Sequence, residues 1–256
     1  MTDAHCHLID SKYGDLIPEN LAKKAREIGI TAIISNGTSI ENVKQTIKLA
    51  EKFPEVWATV GVHPDEIINN ELPKINELLD LAKHSKVVAI GEAALDFFEG
   101  ITDEQKNMQR KLFEMHIQLA TETGLPLVVH NRDADEEILE YLKNFSGGVQ
   151  LHCFVEKMPY ALEAIKRGWY LSFGGIITFK KSGYLREIVK DIPNENILIE
   201  TDAPYLAPEP IRGTINTPVN VKIVAEWVAG IRNTSINQIE EATDLNTRML
   251  FTKMTK

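Results

Sequence analysis

Long apolar runs are missing from this chain, and so is any surplus of positive charge. No stretch of about eighteen apolar residues occurs, which excludes a helix crossing a membrane. Lys and Arg number 28 against 37 Asp and Glu, giving a formal net charge of −9 at pH 7. That deficit argues against a broad basic surface for gripping long nucleic acid, while leaving room for a local basic rim. Cysteine is scarce too. Only Cys6 and Cys153 occur, each beside a histidine, and both are expected to be free thiols buried on the opposite side of their strands in a reducing cytoplasm. Nothing basic or strongly apolar precedes a first strand at Thr2, so no signal peptide is expected. Linkers, low-complexity segments and repeats are absent, so one domain over residues 1–256 is the economical expectation.

What the chain does have is a regular alternation of two hydrophobic periods. Apolar residues recur at helical spacing at Ile17, Leu21, Ala25 and Ile28, with Pro18 suited to an early helical position and Gly29 to the stop. Thr31–Asn36 then reads as a short buried strand. The alternation continues: helices are expected over 39–52, 71–84, 103–123, 133–144, 159–167, about 182–190, 218–230 and 235–251. Strands are expected at the head of the chain and over 56–62, 86–91, 127–130, 149–152, 169–173 and 196–200. Eight strands separated by helices, with continuous apolar cores such as Leu127-Val128-Val129, fit a (β/α)8 barrel whose parallel sheet is covered on both faces. The alternative is an open doubly wound sheet, which would confine ligands to its switch point.

In a barrel the functional residues sit at the C-terminal ends of the strands. Those ends carry, in order, His5 with His7, then His63, Glu92, His130, His152 and Asp202. His5 and His7 are two apart in a strand, so their imidazoles share a face and can hold one metal ion. Each residue alone has a plainer explanation. Glu92 could be a solvated loop acid, His130 and His152 buried histidines bonded to backbone, and Asp202 a turn former before Ala203-Pro204. Together, four histidines and two carboxylates at one barrel mouth would be a costly charge cluster unless cations sat among them. His63, held extended by Pro64, suits a hydrogen bond to substrate or hydroxide better than metal ligation. His84 and His116 are expected inside helices, with no function assigned.

Across its whole length the sequence resembles the TatD-like metal-dependent hydrolases, bacterial and eukaryotic enzymes described as deoxyribonucleases. The resemblance rests on Asp3-Ala4-His5-Cys6-His7-Leu8, Gly61-Val62-His63-Pro64, Gly91-Glu92-Ala93-Ala94-Leu95-Asp96-Phe97 and Val129-His130-Asn131-Arg132-Asp133-Ala134. It extends through Leu151-His152-Cys153-Phe154, Glu200-Thr201-Asp202-Ala203-Pro204-Tyr205, Arg212-Gly213 with Asn216 and Pro218, and the late Asn246 and Phe251. The resemblance implies a TIM barrel with two divalent ions, one held by His5, His7, Glu92 and Asp202, the other by Glu92, His130 and His152, with Glu92 bridging. There are departures. Ala94 stands where the family has Gly, with little consequence expected at ordinary backbone angles. Thr214 and Ile215 replace residues that are often basic, which weakens that loop's hold on a nucleic-acid backbone, and Val155-Glu156 lacks the usual small residues.

Two cations sharing Glu92 would lower the pKa of a bridging water and polarise the scissile ester, with Asp202 as the base. Imidazole-rich ligands favour Zn²⁺, Mn²⁺, Fe²⁺ or Ni²⁺ over oxygen-seeking Mg²⁺, leaving the identity open among Zn²⁺, Mn²⁺ and Mg²⁺. Arg132, on the face of His130, and Arg212 are candidate phosphate contacts, as are Lys180 and Lys181, which equally suit a solvated helix start. Glu200, one layer deeper than Asp202 on the same strand face, is expected to be a structural acid. The leading expectation is a cytoplasmic, monomeric deoxyribonuclease acting on DNA ends or another phosphoester. A second is hydrolysis of a carboxylic ester or amide, such as an aminoacyl bond on tRNA, and a third is a catalytically silent metal-binding protein.

Overall fold

The computed structural model describes residues 1–67 and 72–255. Eight parallel strands form one sheet in sequence order, so the barrel and not the open doubly wound sheet is what the chain folds into. The strands are β1 (Thr2–Cys6), β2 (Ala32–Ser35), β3 (Val56–Val60), β4 (Val87–Asp96), β5 (Leu127–Arg132), β6 (Val149–Leu151), β7 (Tyr170–Phe173) and β8 (Ile197–Ile199). Between and after them run α1 (Pro18–Glu27), α2 (Ile40–Lys52), α3 (Ile75–Ala82), α4 (Asp103–Thr123), α5 (Asp135–Tyr141), α6 (Met158–Lys166), α7 (Gly183–Asp191), α8 (Val221–Arg232) and α9 (Ile236–Leu250). Among the described residues, no helix is long and apolar enough to cross a membrane.

Local chemistry sets these boundaries. α4 begins at a capping box, in which the Thr102 hydroxyl accepts from the Gln105 N–H while the Gln105 side chain accepts from the Thr102 N–H, and it ends at Gly124 in the left-handed region. Ser235 and Gln238 make the same box at the start of α9. The helix expected over 71–84 is shorter, Ile75–Ala82; its expected first residue lies outside the described residues, and His84 falls in the turn after it. His116 is inside α4 as expected, with its Nε2 accepting from the Val62 N–H at 3.2 Å, which gives it a structural partner. At the N-terminal ends of the strands, Leu250 and Phe251 pack with Ala4, Ile34, Val88, Val128 and Leu198, and Asn246 donates to the Ile197 carbonyl at 2.8 Å.

β4 departs most from expectation. It runs on to Asp96, so Glu92 lies within a strand and not at its end, and the register shifts between Ile90 and Ala93 against β5. Such an irregularity re-aims side chains beside active sites. Close packing accompanies it: a Cβ on Gly61 would lie 2.4 Å from the Gly91 carbonyl carbon, and one on Gly91 would lie 2.7 Å from Val128 Cβ. Ala94 has φ of 103°, so its angles are not ordinary. A methyl group stands where glycine alone is unstrained.

The barrel closes at a seam between β1 and the segment after β8. Asp3, fully buried, accepts from the Thr201 N–H at 2.8 Å and from the Thr201 hydroxyl at 2.6 Å. His7 N–H donates to Ala203 O at 2.7 Å and Asp202 N–H to His5 O at 2.9 Å. β8 ends at Ile199, so Asp202 takes its direction from a turn with φ of 54° and not from strand alternation shared with Glu200.

Candidate metal centre

Five side chains, His7, Glu92, His130, His152 and Asp202, line the floor of a cavity of about 700 Å³ at the C-terminal mouth of the barrel, and a sixth, His5, is fully buried against Glu92 and Asp202. Glu92 lies at the centre, 2 % exposed, and its two carboxylate oxygens face different partners. Oε2 is 3.4 Å from His5 Nε2 and 3.3 Å from His7 Nε2, and Asp202 Oδ1 lies 3.7 and 3.4 Å from the same two nitrogens. Oε1 is 2.9 Å from His130 Nδ1 and 2.8 Å from His152 Nε2.

The first donor set fits a cation. His5 Nε2 and His7 Nε2 lie 3.2 Å apart, and the measured separations within the set, 3.2 to 3.7 Å, bracket the edge of about 3.4 Å of a tetrahedron with ligand bonds near 2.1 Å. His7 Nδ1 lies 3.2 Å from the Asn36 carbonyl, which can only accept. In its neutral form the ring therefore carries its proton on Nδ1 and turns the Nε2 lone pair toward two carboxylates, an arrangement that repels unless a positive charge lies between. Glu92 Oε2 is buried without a hydrogen-bond partner, which agrees.

Each imidazole on the Oε1 side also leans on a second carboxylate. His130 Nε2 is 3.0 Å from Asp96 Oδ2, and His152 Nδ1 is 3.4 Å from Glu200 Oε1. Carboxylates in this position orient a ligating ring and raise its basicity. Glu200 is fully buried and accepts from the Cys153 N–H at 2.7 Å and from Gln150 Nε2 at 3.3 Å, in keeping with a structural acid. Asp96 is the residue the sequence reading passed over. A signal was available, because positions 92 and 96 of one strand share a face.

Burial opposes charge throughout, and the neighbours decide the outcome. For Glu92, burial pushes the carboxyl up, yet the charges of His152 and His63 and the hydrogen bonds of His130 and His152 outweigh it and hold it well below the usual range. Asp202 is likewise held low, against burial, by the His7 hydrogen bond and the charges of His152, His5 and His7. His130 is depressed by burial but lifted to about 9 by Asp96 and Glu92. Burial dominates at His5, whose pKa falls, and at His63, which drops to about 4.

The remaining sequence candidates separate. His63 lines the cavity with Nε2 3.6 Å from Glu92 Oε1, while its Nδ1 accepts from the Asp65 N–H at 3.2 Å. Arg132 also lines the cavity, its side chain 59 % exposed and 3.7 Å from Asp96. Arg212 does not: it stands over the Phe179 ring at 4.2 Å and lines a neighbouring groove. Lys180 and Lys181 are exposed in a turn before α7. Cys6 is buried in the core as expected, but Cys153 lies beyond β6 with φ of 45°, half-buried, and its residue lines the cavity instead of facing away.

Comparison with known proteins agrees with this geometry. A family model described as TatD related DNase matches residues 2–252. The chain is 36% identical over 253 residues to an uncharacterized metal-dependent hydrolase, YabD, of Bacillus subtilis strain 168, covering 97% of this chain and 98% of that one. It is 32% identical over 267 residues to a mouse protein, TATDN3, provisionally named a deoxyribonuclease, covering 99% and 89%. The crystal structure of YjjV, a TatD homologue from Escherichia coli K12, superposes with a TM-score of 0.90 at 28% identity over 98% of both chains. A family match of this extent, on a barrel of this topology with histidines and carboxylates gathered at its mouth, means that the chain belongs to the TatD-related DNase family of metal-dependent hydrolases.

Proposed function

We propose that the protein hydrolyses phosphodiester bonds at the ends of DNA with an activated water, at a centre whose histidines and carboxylates would hold two divalent cations. The observation that carries the reading is the division of Glu92: one oxygen faces His5 and His7, the other His130 and His152. His5, His7, Asp202 and Glu92 would hold one cation, and His130, His152 and Glu92 the other. When bound, the pair would supply a water of lowered pKa and polarise the ester oxygens.

The chain's own groups do the rest. Asp202, held ionised and open to the cavity, accepts the proton of the attacking water. His63 keeps its proton on Nε2, because Nδ1 is engaged by the Asp65 N–H, and so presents a donor to a phosphoryl oxygen. Arg132 at the rim pairs with a phosphate as a planar fork. No side-chain nucleophile takes part: burial pushes the Cys153 thiol well above its usual range, which keeps it protonated and inert. The name carried by the mouse relative supports DNA as the substrate. As parts of the same proposal, residues 1–256 act as one domain and as a cytoplasmic monomer, in keeping with two unpaired cysteines.

The test is to incubate metal-loaded protein with single-stranded DNA, duplex DNA and an aminoacyl-tRNA, and to follow which is consumed. Release of nucleotides from DNA is expected. Consumption of the aminoacyl-tRNA alone would replace the phosphodiester by a carbonyl ester, and consumption of none would overturn the reading.

A further inference from the structure

Beside the cavity, and sharing Leu206 with it, lies a second groove of about 340 Å³ walled by Lys12, Phe179, Leu206, Arg212 and Ile215. Its two cations come from opposite ends of the chain. Lys12 follows β1 and holds its ammonium 4.0 Å from the centre of the Tyr205 ring. Arg212 follows β8 and holds its guanidinium 4.2 Å from the centre of the Phe179 ring. Aromatic faces attract cations at this range without neutralising them.

Among the described residues, neither side chain donates a hydrogen bond to a carboxylate; Arg212 forms a loose ion pair with Glu209 at 4.0 Å, and the Asp10 carboxylate accepts from the Lys12 backbone N–H and the Tyr205 hydroxyl. In a protein of net charge −9, two exposed cations propped on aromatic rings, neither side chain hydrogen-bonded to a carboxylate, stand beside the proposed catalytic floor. On the cavity side of Leu206 stands an aromatic ring as well. Tyr205 is 38 % exposed, its ring meets that of His7 edge to face at 6.0 Å, and its hydroxyl donates to Asp10 at 2.9 Å, which fixes its direction. Ile215, 43 % exposed, adds apolar area on the groove side. Fixed cations alternating with flat apolar surfaces are what a single strand of nucleic acid requires, with phosphates to pair and bases to lay against rings.

We propose that this groove binds the DNA strand beyond the scissile linkage: the strand passes over Tyr205, and Lys12 and Arg212 each take one of the following phosphates. This rests on the phosphodiesterase reading and extends it, because it makes the groove the element that prefers a strand of several nucleotides over a single ester. The geometry also specifies which phosphate Arg212 would contact, one away from the reacting centre.

Binding and cleavage are measured separately, so that failure of the groove is distinguishable from failure of the reaction. Metal-loaded protein is titrated into a fluorescent five-nucleotide strand with phosphorothioate linkages, which resists cleavage, across a series of salt concentrations. The slope of log affinity against log salt changes by about 0.7 for each phosphate contact on a single strand. Lys12→Gln should flatten the slope by about 0.7, the double variant with Arg212→Gln by about 1.4, and each single change should weaken binding about tenfold at low salt. An exposed lysine away from the groove, Lys190→Gln, should leave both unchanged. In cleavage, KM for a five-nucleotide strand should rise in Lys12→Gln with kcat little altered, while hydrolysis of bis(p-nitrophenyl) phosphate, which has one linkage, should change less than twofold. Unchanged slopes in both groove variants, or equal losses on the strand and on the small ester, would overturn the groove. Salt-dependent binding through Lys12 and Arg212 without any cleavage by the native protein would retain the groove and reject the nuclease.

Discussion

Replacing Asp96 by Asn should separate the two metal positions. Asp96 is 3 % exposed, its Oδ2 is 3.0 Å from His130 Nε2, and its Oδ1 accepts from the Phe98 N–H at 3.2 Å. Asparagine keeps the shape and an oxygen for Phe98 but removes the charge that makes His130 Nε2–H a charge-assisted donor. Loss of such a partner behind a ligating histidine typically weakens metal binding 10- to 100-fold, about 1.4 to 2.8 kcal/mol. The upper half of that range is expected, because so little solvent reaches the carboxylate to screen it. Asp96 makes no contact with His5, His7 or Asp202, so the first position should hold its ion within about twofold. Competition titration against a chromophoric chelator resolves the two binding steps. Equal weakening of both steps, or of neither, would refute the assignment of Asp96 to His130 alone.

Glu92→Ala should remove both ions where His130→Ala removes one, as read by elemental analysis after mild purification; the same single-ion loss in both would contradict the bridge. Asp202→Asn, which keeps volume and one oxygen ligand, should retain the second ion while turnover at saturating metal falls by a factor of about 10² or more, and near-native turnover would pass the base to His63. His130 titrates near 9 in the metal-free site and must lose that proton to ligate, so metal affinity there should climb with pH and level off above about 9. Its raised pKa contributes stability to the metal-free protein that is complete below about 6.5 and lost as pH passes through about 9. The difference in Tm between loaded and metal-free protein should therefore widen from pH 6.5 to 9, and a narrowing would reverse the sign of the argument. Ala94→Gly should raise stability by about 1 kcal/mol, since relief of a strained φ exceeds the added freedom of the unfolded chain, and a lowered Tm would show that Ala94 is unstrained.

The barrel and the cluster of side chains at its mouth were legible in the sequence for one reason. Parallel strands buried on both faces read as apolar runs, so a polar residue ending such a run is conspicuous. His5, His7, His130, His152 and Asp202 were found that way. What stayed hidden depends on backbone angles that leave no trace in a hydrophobic pattern. Cys153, Asp202 and Ala94 all adopt positive φ, which brought residue 153 to the cavity wall, took Asp202 off strand alternation and made the Ala94 methyl a strain. The extension of β4 through Glu92 to Asp96 was obscured because Gly91-Glu92 interrupts the apolar run and imitates a strand end. Arg212 and Arg132 were both candidate phosphate contacts, and nothing local in the sequence told which of the two lines the main cavity.

The seam between β1 and the segment after β8 has a consequence for how the protein comes into being. Asp3 and Thr201, which hold it, are 198 residues apart in the chain. At about 5 to 20 residues per second of synthesis, the ribosome needs roughly 10 to 40 s to travel between them. For that interval the first two imidazoles exist with neither Glu200 nor Asp202 yet made, and the emerging chain offers any passing ion only a weak and incomplete grip. On the proposed coordination, the full donor set of the first position would exist only in polypeptides whose two ends have met, and a chain released early, lacking the last strand, should differ from a finished one in failing to retain metal.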